Sequence, residues 1–336
     1  MMKKIFTIFL ALTMAVGLLA GCGKKNDAET GEADSDKLKV VTTIFPEYDW
    51  VKDILGDKAG STDLTMLLSN GVDLHSYQPT ADDIVKISDC DLFIYVGGES
   101  DGWVEDALRN AANRNMKVIN LLEILGDSVK TEEIVEGMQE EHEDAHAHDD
   151  AEEHEHEEEA DEHVWLSLKN AKMLVRVISK ALQELDPDNK DIYAANADAY
   201  VKKLSALDAD YQAAVDAASN KTILFGDRFP FRYLVDDYGL RYYAAFVGCS
   251  AETEAGFETI SFLAKRVDEW KLPCVLTIEG AQHKIAETIV RNTTTKNQKV
   301  LTMDSMQSTT TQDVKNGTTY LSVMEKNLSV LKEALR

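Results

Sequence analysis

The chain has 336 residues, of which 35 are Lys or Arg and 60 are Asp or Glu, for a formal net charge of −25. That balance excludes nucleic acid as a partner, because phosphate binding needs patches of Lys and Arg, and it suits a protein that attracts cations. The length allows two domains of ordinary size beyond the N-terminal segment.

In chain order, Lys3 and Lys4 form a positive start and Ile5 to Leu19 an apolar run broken only by Thr7, Thr13 and Gly17. The run is too short for a comfortable membrane span and reads as the apolar region of an export signal over residues 1–21. It ends in Leu19-Ala20-Gly21-Cys22, which resembles the lipobox of bacterial lipoproteins. The resemblance implies cleavage before Cys22 and a lipid on its thiol, so that the chain is anchored to the membrane on its extracytoplasmic face rather than spanning it. Residues 22–37, rich in Lys, Asp, Glu and Gly, bury too little to fold and read as a tether. No later stretch is apolar enough to cross a bilayer.

The folded part shows two rounds of strand and helix. Val40 to Ile44, Leu64 to Leu68, Leu92 to Val96 and Lys117 to Asn120 read as strands of a first lobe, residues 38–186. Thr222 to Phe225, Leu240 to Phe246, Cys274 to Ile278 and Val300 to Met303 read as strands of a second, residues 219–336. Short apolar runs separated by helix-length segments predict an α/β fold of two lobes, each with a mainly parallel sheet of about four strands flanked by helices. Between them, Leu168 to Leu185 carries one apolar face, Asp186-Pro187 stops that helix and starts the next, and a stripe from Tyr193 to Val215 sustains a linking helix over residues 187–218. Such a continuous helix predicts lobes that move little. Tyr320, Met324, Leu328, Leu331 and Leu335 fall at helical spacing and predict a terminal helix.

Residues 131–162 hold seventeen Asp or Glu, five His and no Lys or Arg. The composition predicts a disordered acidic loop, with weak, flexible zinc collection as its functional reading. His142-Glu143-Asp144-Ala145-His146 fits the zinc-protease pattern, but that pattern requires an apolar-backed helix, whereas here His and Glu dominate by composition.

Outside this loop the chain has only His75, His163 and His283. Each sits in a distinct stretch after a predicted strand or before the long helices: Gly71 to Thr80, Asp161 to Ala171, and Thr277 to His283. In open α/β sheets ligands bind beyond the carboxyl ends of strands, and neutral imidazole is a common zinc ligand. The three cysteines after Cys22 (Cys90, Cys249 and Cys274) are an odd number, so at least one thiol is free in a monomer and no disulfide framework is implied.

These stretches resemble the metal-binding solute-binding lipoproteins of ABC importers, the group holding the zinc-specific ZnuA type and its manganese-specific relatives. The likeness runs from about Lys39 to the C-terminus. Gly71 to Thr80 matches the pattern G-x-x-x-H-x-Y-x-P-T, and Asp161 to Ala171 matches D-x-H-x-W-L-S-x-x-N-A. Tyr233 with Tyr238-Gly239-Leu240, and the last helix from Tyr320 through Asn327 to Leu335, match further segments. The resemblance implies a metal site in the cleft between the lobes, an ABC permease as partner, a monomer, and no enzyme activity. The acidic His-rich insertion marks the zinc branch.

One departure matters. The family's third ligand position falls on Arg228, which stays protonated and offers no lone pair. His283, near where manganese-type members place a ligating Asp, is the favoured replacement, with Asp227 a second candidate. Glu279 is a candidate fourth ligand or a carboxylate orienting a His, and Glu279 and Asp227 are candidate partners for Arg228. His75, His163, His283 and Glu279 are thus the expected ligands of Zn2+, favoured over manganese because imidazoles outnumber carboxylates. The alternatives are a manganese receptor of the same class, a metal-dependent surface adhesin, and a metallohydrolase with Glu279 as base.

Overall fold

The computed structural model describes residues 37–139, 159–250, 254–280 and 282–336. The export signal, the tether up to residue 36, Cys22 and His142 to His146 lie outside the described residues.

Strands β1 (Leu38–Thr42), β2 (Thr62–Met66), β3 (Leu92–Tyr95) and β4 (Lys117–Asn120) form one parallel sheet in the order β2-β1-β3-β4. Helices α1 (Phe45–Leu55), α2 (Ala81–Asp89), α3 (Val104–Arg109) and α4 (Leu121–Leu125) intervene. Val40, Leu92, Phe93 and Ile94 are all at 0% exposure. Covered on both faces, such strands must read as unbroken apolar runs rather than as alternation. The order places the carboxyl ends of β1, β2 and β3 together, and their following loops carry the first site residues.

Helices α5 (Leu168–Leu185) and α6 (Lys190–Ala217) follow, separated by a single turn at Pro187–Asn189. At 1.5 Å rise per residue, α6 is about 42 Å long. Its buried stripe of Tyr193, Ala197, Tyr200, Leu204, Leu207, Tyr211 and Val215 is the one expected from helical spacing.

The second half contains β5 (Thr222–Leu224), β6 (Arg228–Phe229), α7 (Arg232–Tyr238), β7 (Arg241–Tyr243), β8 (Phe246–Val247), α8 (Phe257–Trp270), β9 (Cys274–Thr277), α9 (Lys284–Asn292), β10 (Lys299–Thr302), α10 (Thr311–Lys315) and α11 (Tyr320–Ala334). The pairs β7-β5 and β9-β10 are parallel, and a parallel bridge from Phe225 to Leu276 joins them. A separate short pair, β6 with β8, sets Arg228 opposite Phe246 and Phe229 opposite Val247. The parallel α/β architecture read from the sequence is therefore present in both halves.

Two features depart from the lobe boundaries. The last helix, α11, returns to the first half: the Tyr320 ring stands edge-on to Trp50 at 5.2 Å, and the Tyr211 hydroxyl donates to the Met324 carbonyl at 2.6 Å. Tyr320 also donates its hydroxyl to the Trp165 carbonyl at 2.6 Å and its N–H to Asp49 at 2.8 Å. In addition, the two ends of the acidic segment are ordered. Thr131 bridges Ala160, Gln139 donates its N–H to the Ala245 carbonyl at 2.9 Å, and Met138 is buried. The ends pair with each other and pack on the second half, so composition alone drew the loop too long.

Two expectations follow from this join. Tyr320→Phe leaves the buried Trp165 carbonyl without its donor, which costs about 1–3 kcal/mol of stability, measurable by urea unfolding. Burial raises the Asp49 carboxyl from 3.8 to about 6. Between those values the native protein holds a proton that the unfolded chain has lost, so the Asp49 contribution to stability falls as pH rises through that window and is constant above it. Asp49→Asn keeps an acceptor for Tyr320 and removes the titration. The wild type should lose stability relative to Asp49→Asn between pH 4 and 6, read from paired denaturant curves.

Candidate metal centre

His75 lies in a single helical turn, Leu74–Ser76, beyond the carboxyl end of β2. Asp73 caps this turn by accepting the His75 N–H at 3.1 Å. Downstream, Thr80 and Asp83 cap the start of α2 reciprocally, and Tyr77 donates to Asp83 at 3.0 Å. The Pro79-Thr80 part of the motif thus fixes where the loop ends and the helix begins.

His163 precedes the turn Val164–Leu166 and the N-cap of α5, Ser167. Asn170 closes the turn by donating to the Val164 carbonyl at 3.3 Å, and Trp165 donates to the Ser305 carbonyl at 2.8 Å. Asp161 receives the His163 N–H at 2.9 Å, and the Tyr233 hydroxyl holds the Asp161 carbonyl at 2.7 Å. Asp161, Ser167 and Asn170 thus hold the loop that carries the imidazole.

The two imidazoles meet. Their Nε2 atoms are 3.2 Å apart. His163 Nδ1 is 3.0 Å from Asp161 Oδ1; a carboxylate only accepts, so the proton is on Nδ1. His75 Nδ1 is 2.8 Å from Ser100 Oγ and 3.4 Å from Glu162 Oε2, while the Ser100 backbone N–H donates to Glu162 at 2.9 Å. The Glu162 carboxylate beside it only accepts, which places the His75 proton on Nδ1 as well. Both rings therefore turn an Nε2 lone pair toward the same point. Two Zn–N bonds of about 2.0–2.1 Å at the tetrahedral angle would hold two nitrogens about 3.3 Å apart.

Charge is arranged to match. Burial opposes protonation of His163, but the Asp161 carboxylate outweighs it, and the net shift of its pKa is upward. Burial likewise works against the Glu162 carboxylate, but hydrogen bonds from His75 and Ser100 hold its pKa below the ordinary value. Gly98, with φ at +82°, is required beside it: a Cβ there would lie 2.3 Å from Glu162 Oε1.

Among the described residues, one group of possible ligands converges here: His75, His163 and Cys249, with their donor atoms all within 4.8 Å of one another. His283 and Glu279 stand outside it. His283 adopts a left-handed backbone, φ +56°, at the start of α9 and lines a cavity of about 850 Å³ together with Asp73, Asp227, Arg228 and Glu279. Glu279 is occupied by the Ser305 N–H at 2.6 Å, the Ser305 hydroxyl at 2.7 Å and the Gln307 N–H at 3.0 Å, and so braces the loop that receives Trp165. Asp227 accepts the backbone N–H groups of Arg228 and Ile278.

The Arg228 side chain pairs with neither Glu279 nor Asp227. It donates to Asp73 at 2.6 Å and to the Ser250 carbonyl at 3.3 Å. Burial raises the Asp73 pKa, but the guanidinium outweighs it and holds the carboxyl below its ordinary range.

Cys249 follows β8. Its N–H donates to Glu132 at 2.9 Å, and burial, with the Glu132 carboxylate next, pushes its thiol pKa up. Cys90, Cys249 and Cys274 all carry free thiols. Sequence reasoning counted Cys249 only as a pairing problem. The signal that could have drawn attention to it is the loss of an imidazole at 228 in a chain that retains a thiol nearby.

Residues 40–334 match the family model described as zinc-uptake complex component A, periplasmic. The chain is 31% identical over 318 residues to the high-affinity zinc uptake system protein ZnuA of Bacillus subtilis, covering 95% of this chain and 94% of that protein. It is 33% identical over 332 residues to the zinc-binding lipoprotein AdcA of Streptococcus pneumoniae, and there it spans 99% of its own length but 61% of the relative's. The crystal structure of the Zn(II)-bound ZnuA-like domain of Streptococcus pneumoniae AdcA superposes with a TM-score of 0.67 at 29% identity, covering 89% of this chain and 99% of that one. With a single family model matching nearly all of the folded part, the chain belongs to the ZnuA family of zinc-uptake complex components.

Proposed function

We propose that this protein is an extracytoplasmic receptor that captures Zn2+ and delivers it to an ABC-type membrane permease. The observation that carries this reading is the 3.2 Å approach of two Nε2 atoms whose rings are each held in the same tautomer. A metal ion bound there would take the Nε2 lone pair of each ring at tetrahedral spacing. The fixed outer partners, Asp161, Ser100 and Glu162, are what metal-binding histidines use to set ring orientation and basicity. The zinc-binding and zinc-uptake names of the relatives support zinc as the cargo, and the family's description as one component of an uptake complex supports a permease as partner.

Function here is binding and release, with no bond chemistry. The surplus of negative charge raises the local cation concentration, and the site supplies the coordination shell. Zn2+ is favoured over Mn2+ because imidazole suits zinc while manganese suits carboxylate and water oxygens. Among the described residues no helix is long and apolar enough to cross a membrane. Anchoring is assigned to the lipid at Cys22, whose lipobox agrees with the lipoprotein name of the pneumococcal relative.

Zinc affinity measured by chelator competition at fixed pH tests the site. His75→Ala and His163→Ala should each weaken binding more than the roughly 10–100-fold typical of losing an outer partner. Asp161→Ala should fall within that 10–100-fold range. Wild-type affinity in both histidine variants would sink the reading. Cys22→Ala should move the protein from the membrane to the soluble fraction on cell fractionation, and an unchanged distribution would refute the anchor.

A further inference from the structure

We propose that Cys249 supplies a thiolate as the third protein ligand of the cargo metal, giving a two-imidazole, one-thiolate site in which Arg228 no longer ligates but positions the cysteine. The inference rests on the reading that His75 and His163 hold that metal.

Four observations lead to it. First, the Cys249 sulfur and the two imidazole donors lie within 4.8 Å of one another. A tetrahedral zinc with Zn–S about 2.3 Å and Zn–N about 2.0–2.1 Å needs sulfur and nitrogen about 3.5 Å apart, so an approach of about 1 Å completes the shell. Second, Arg228 is committed to other partners and offers no lone pair. It grips Asp73 and, through the Ser250 carbonyl, the backbone one residue beyond Cys249. The same contact neutralises a carboxylate 4.0 Å from His75 Nε2, so an oxygen ligand from Asp73 is held in an ion pair. Third, the chain is built to bring this segment onto His163: a Cβ at Gly248 would lie 2.9 Å from His163 Cε1 and 3.0 Å from the Phe229 carbonyl oxygen. Only glycine lets the backbone before Cys249 come so close. Fourth, Glu132 anchors the Cys249 N–H, and no disulfide uses the thiol.

On binding, the S–H bond breaks, its electron pair goes to Zn2+, and the proton leaves to solvent; nothing is oxidised or reduced. The arginine adds a fixed positive charge beside the site, and the thiolate adds a negative one that an imidazole would not. A soft sulfur donor also moves preference toward Zn2+ and further from Mn2+.

The experiment uses the purified full chain loaded with Co2+, alongside zinc affinity by chelator competition. Wild type should show a near-ultraviolet thiolate-to-cobalt charge-transfer absorption. Cys249→Ser should lose that band and bind Zn2+ more than about 100-fold more weakly, beyond what an outer partner typically costs. In the unmutated protein, zinc should slow iodoacetamide labelling of Cys249, followed peptide by peptide, without changing that of Cys90 or Cys274; this arm needs no variant to fold. If His75→Ala leaves zinc affinity intact, the underlying site is wrong. If His75→Ala abolishes binding while Cys249→Ser keeps wild-type affinity and spectrum, only the thiolate is wrong. Loss of binding in His283→Ala together with an unaffected Cys249→Ser would return the third position to His283.

Discussion

Two imidazole lone pairs converge on one point, and the surrounding structure is organised to keep them there. Asp161 fixes the His163 ring, and the Ser100–Glu162 pair fixes that of His75. Those partners have in turn to be held. Tyr233 fixes the Asp161 backbone, and Gly98 makes room for Glu162. A cation bound there would meet donors already oriented by folding, which lowers the reorganisation that binding requires.

The same requirement accounts for how the two halves are joined. His75 comes from a loop of the first sheet, while the segment carrying Cys249 comes from a strand pair in the second half. Their relative position must hold to a fraction of an ångström for a closed shell. The join is made by buried, hydrogen-bonded aromatic residues rather than by a flexible linker. Trp165, two residues from His163, reaches Ser305, and Tyr320 reaches back to Trp165 and Asp49. Glu279 braces the Ser305 loop from the other side with three hydrogen bonds. A carboxylate that the sequence offers as a ligand therefore serves to fix the partner of a tryptophan beside the site.

Local patterns in the sequence carried much of this, because they are set by local physics. Buried parallel strands must be apolar runs, so β1, β3 and β9 stand out; α6 must bury one stripe, so its tyrosines and leucines recur at helical spacing. The loops around His75 and His163 were legible because caps and turns need particular residues at fixed offsets. Contacts between distant segments were not legible. Arg228 finds Asp73, 155 positions away, and not the acidic residues near it in sequence. Cys249 reaches the site through a two-residue strand pair too short to leave a periodic signal. The ends of the acidic segment look disordered by composition, yet Glu132, Asp161 and Glu162 are among the residues that hold the site in place.

Selectivity in such a site has to come from geometry and donor type, because imidazole and thiolate bind copper at least as well as zinc. Spacing works for zinc: nitrogens held at 3.2 Å match the roughly 3.3 Å of a tetrahedral zinc and are wider than the roughly 2.9 Å between neighbouring donors of a square-planar ion. Against manganese, the discrimination lies in what has been taken away. Asp73 lies 4.0 Å from His75 Nε2, and Arg228 holds it in an ion pair. In the proposed site Arg228 therefore keeps an oxygen donor that would favour a harder ion in an ion pair, leaving nitrogen and sulfur to select the softer one.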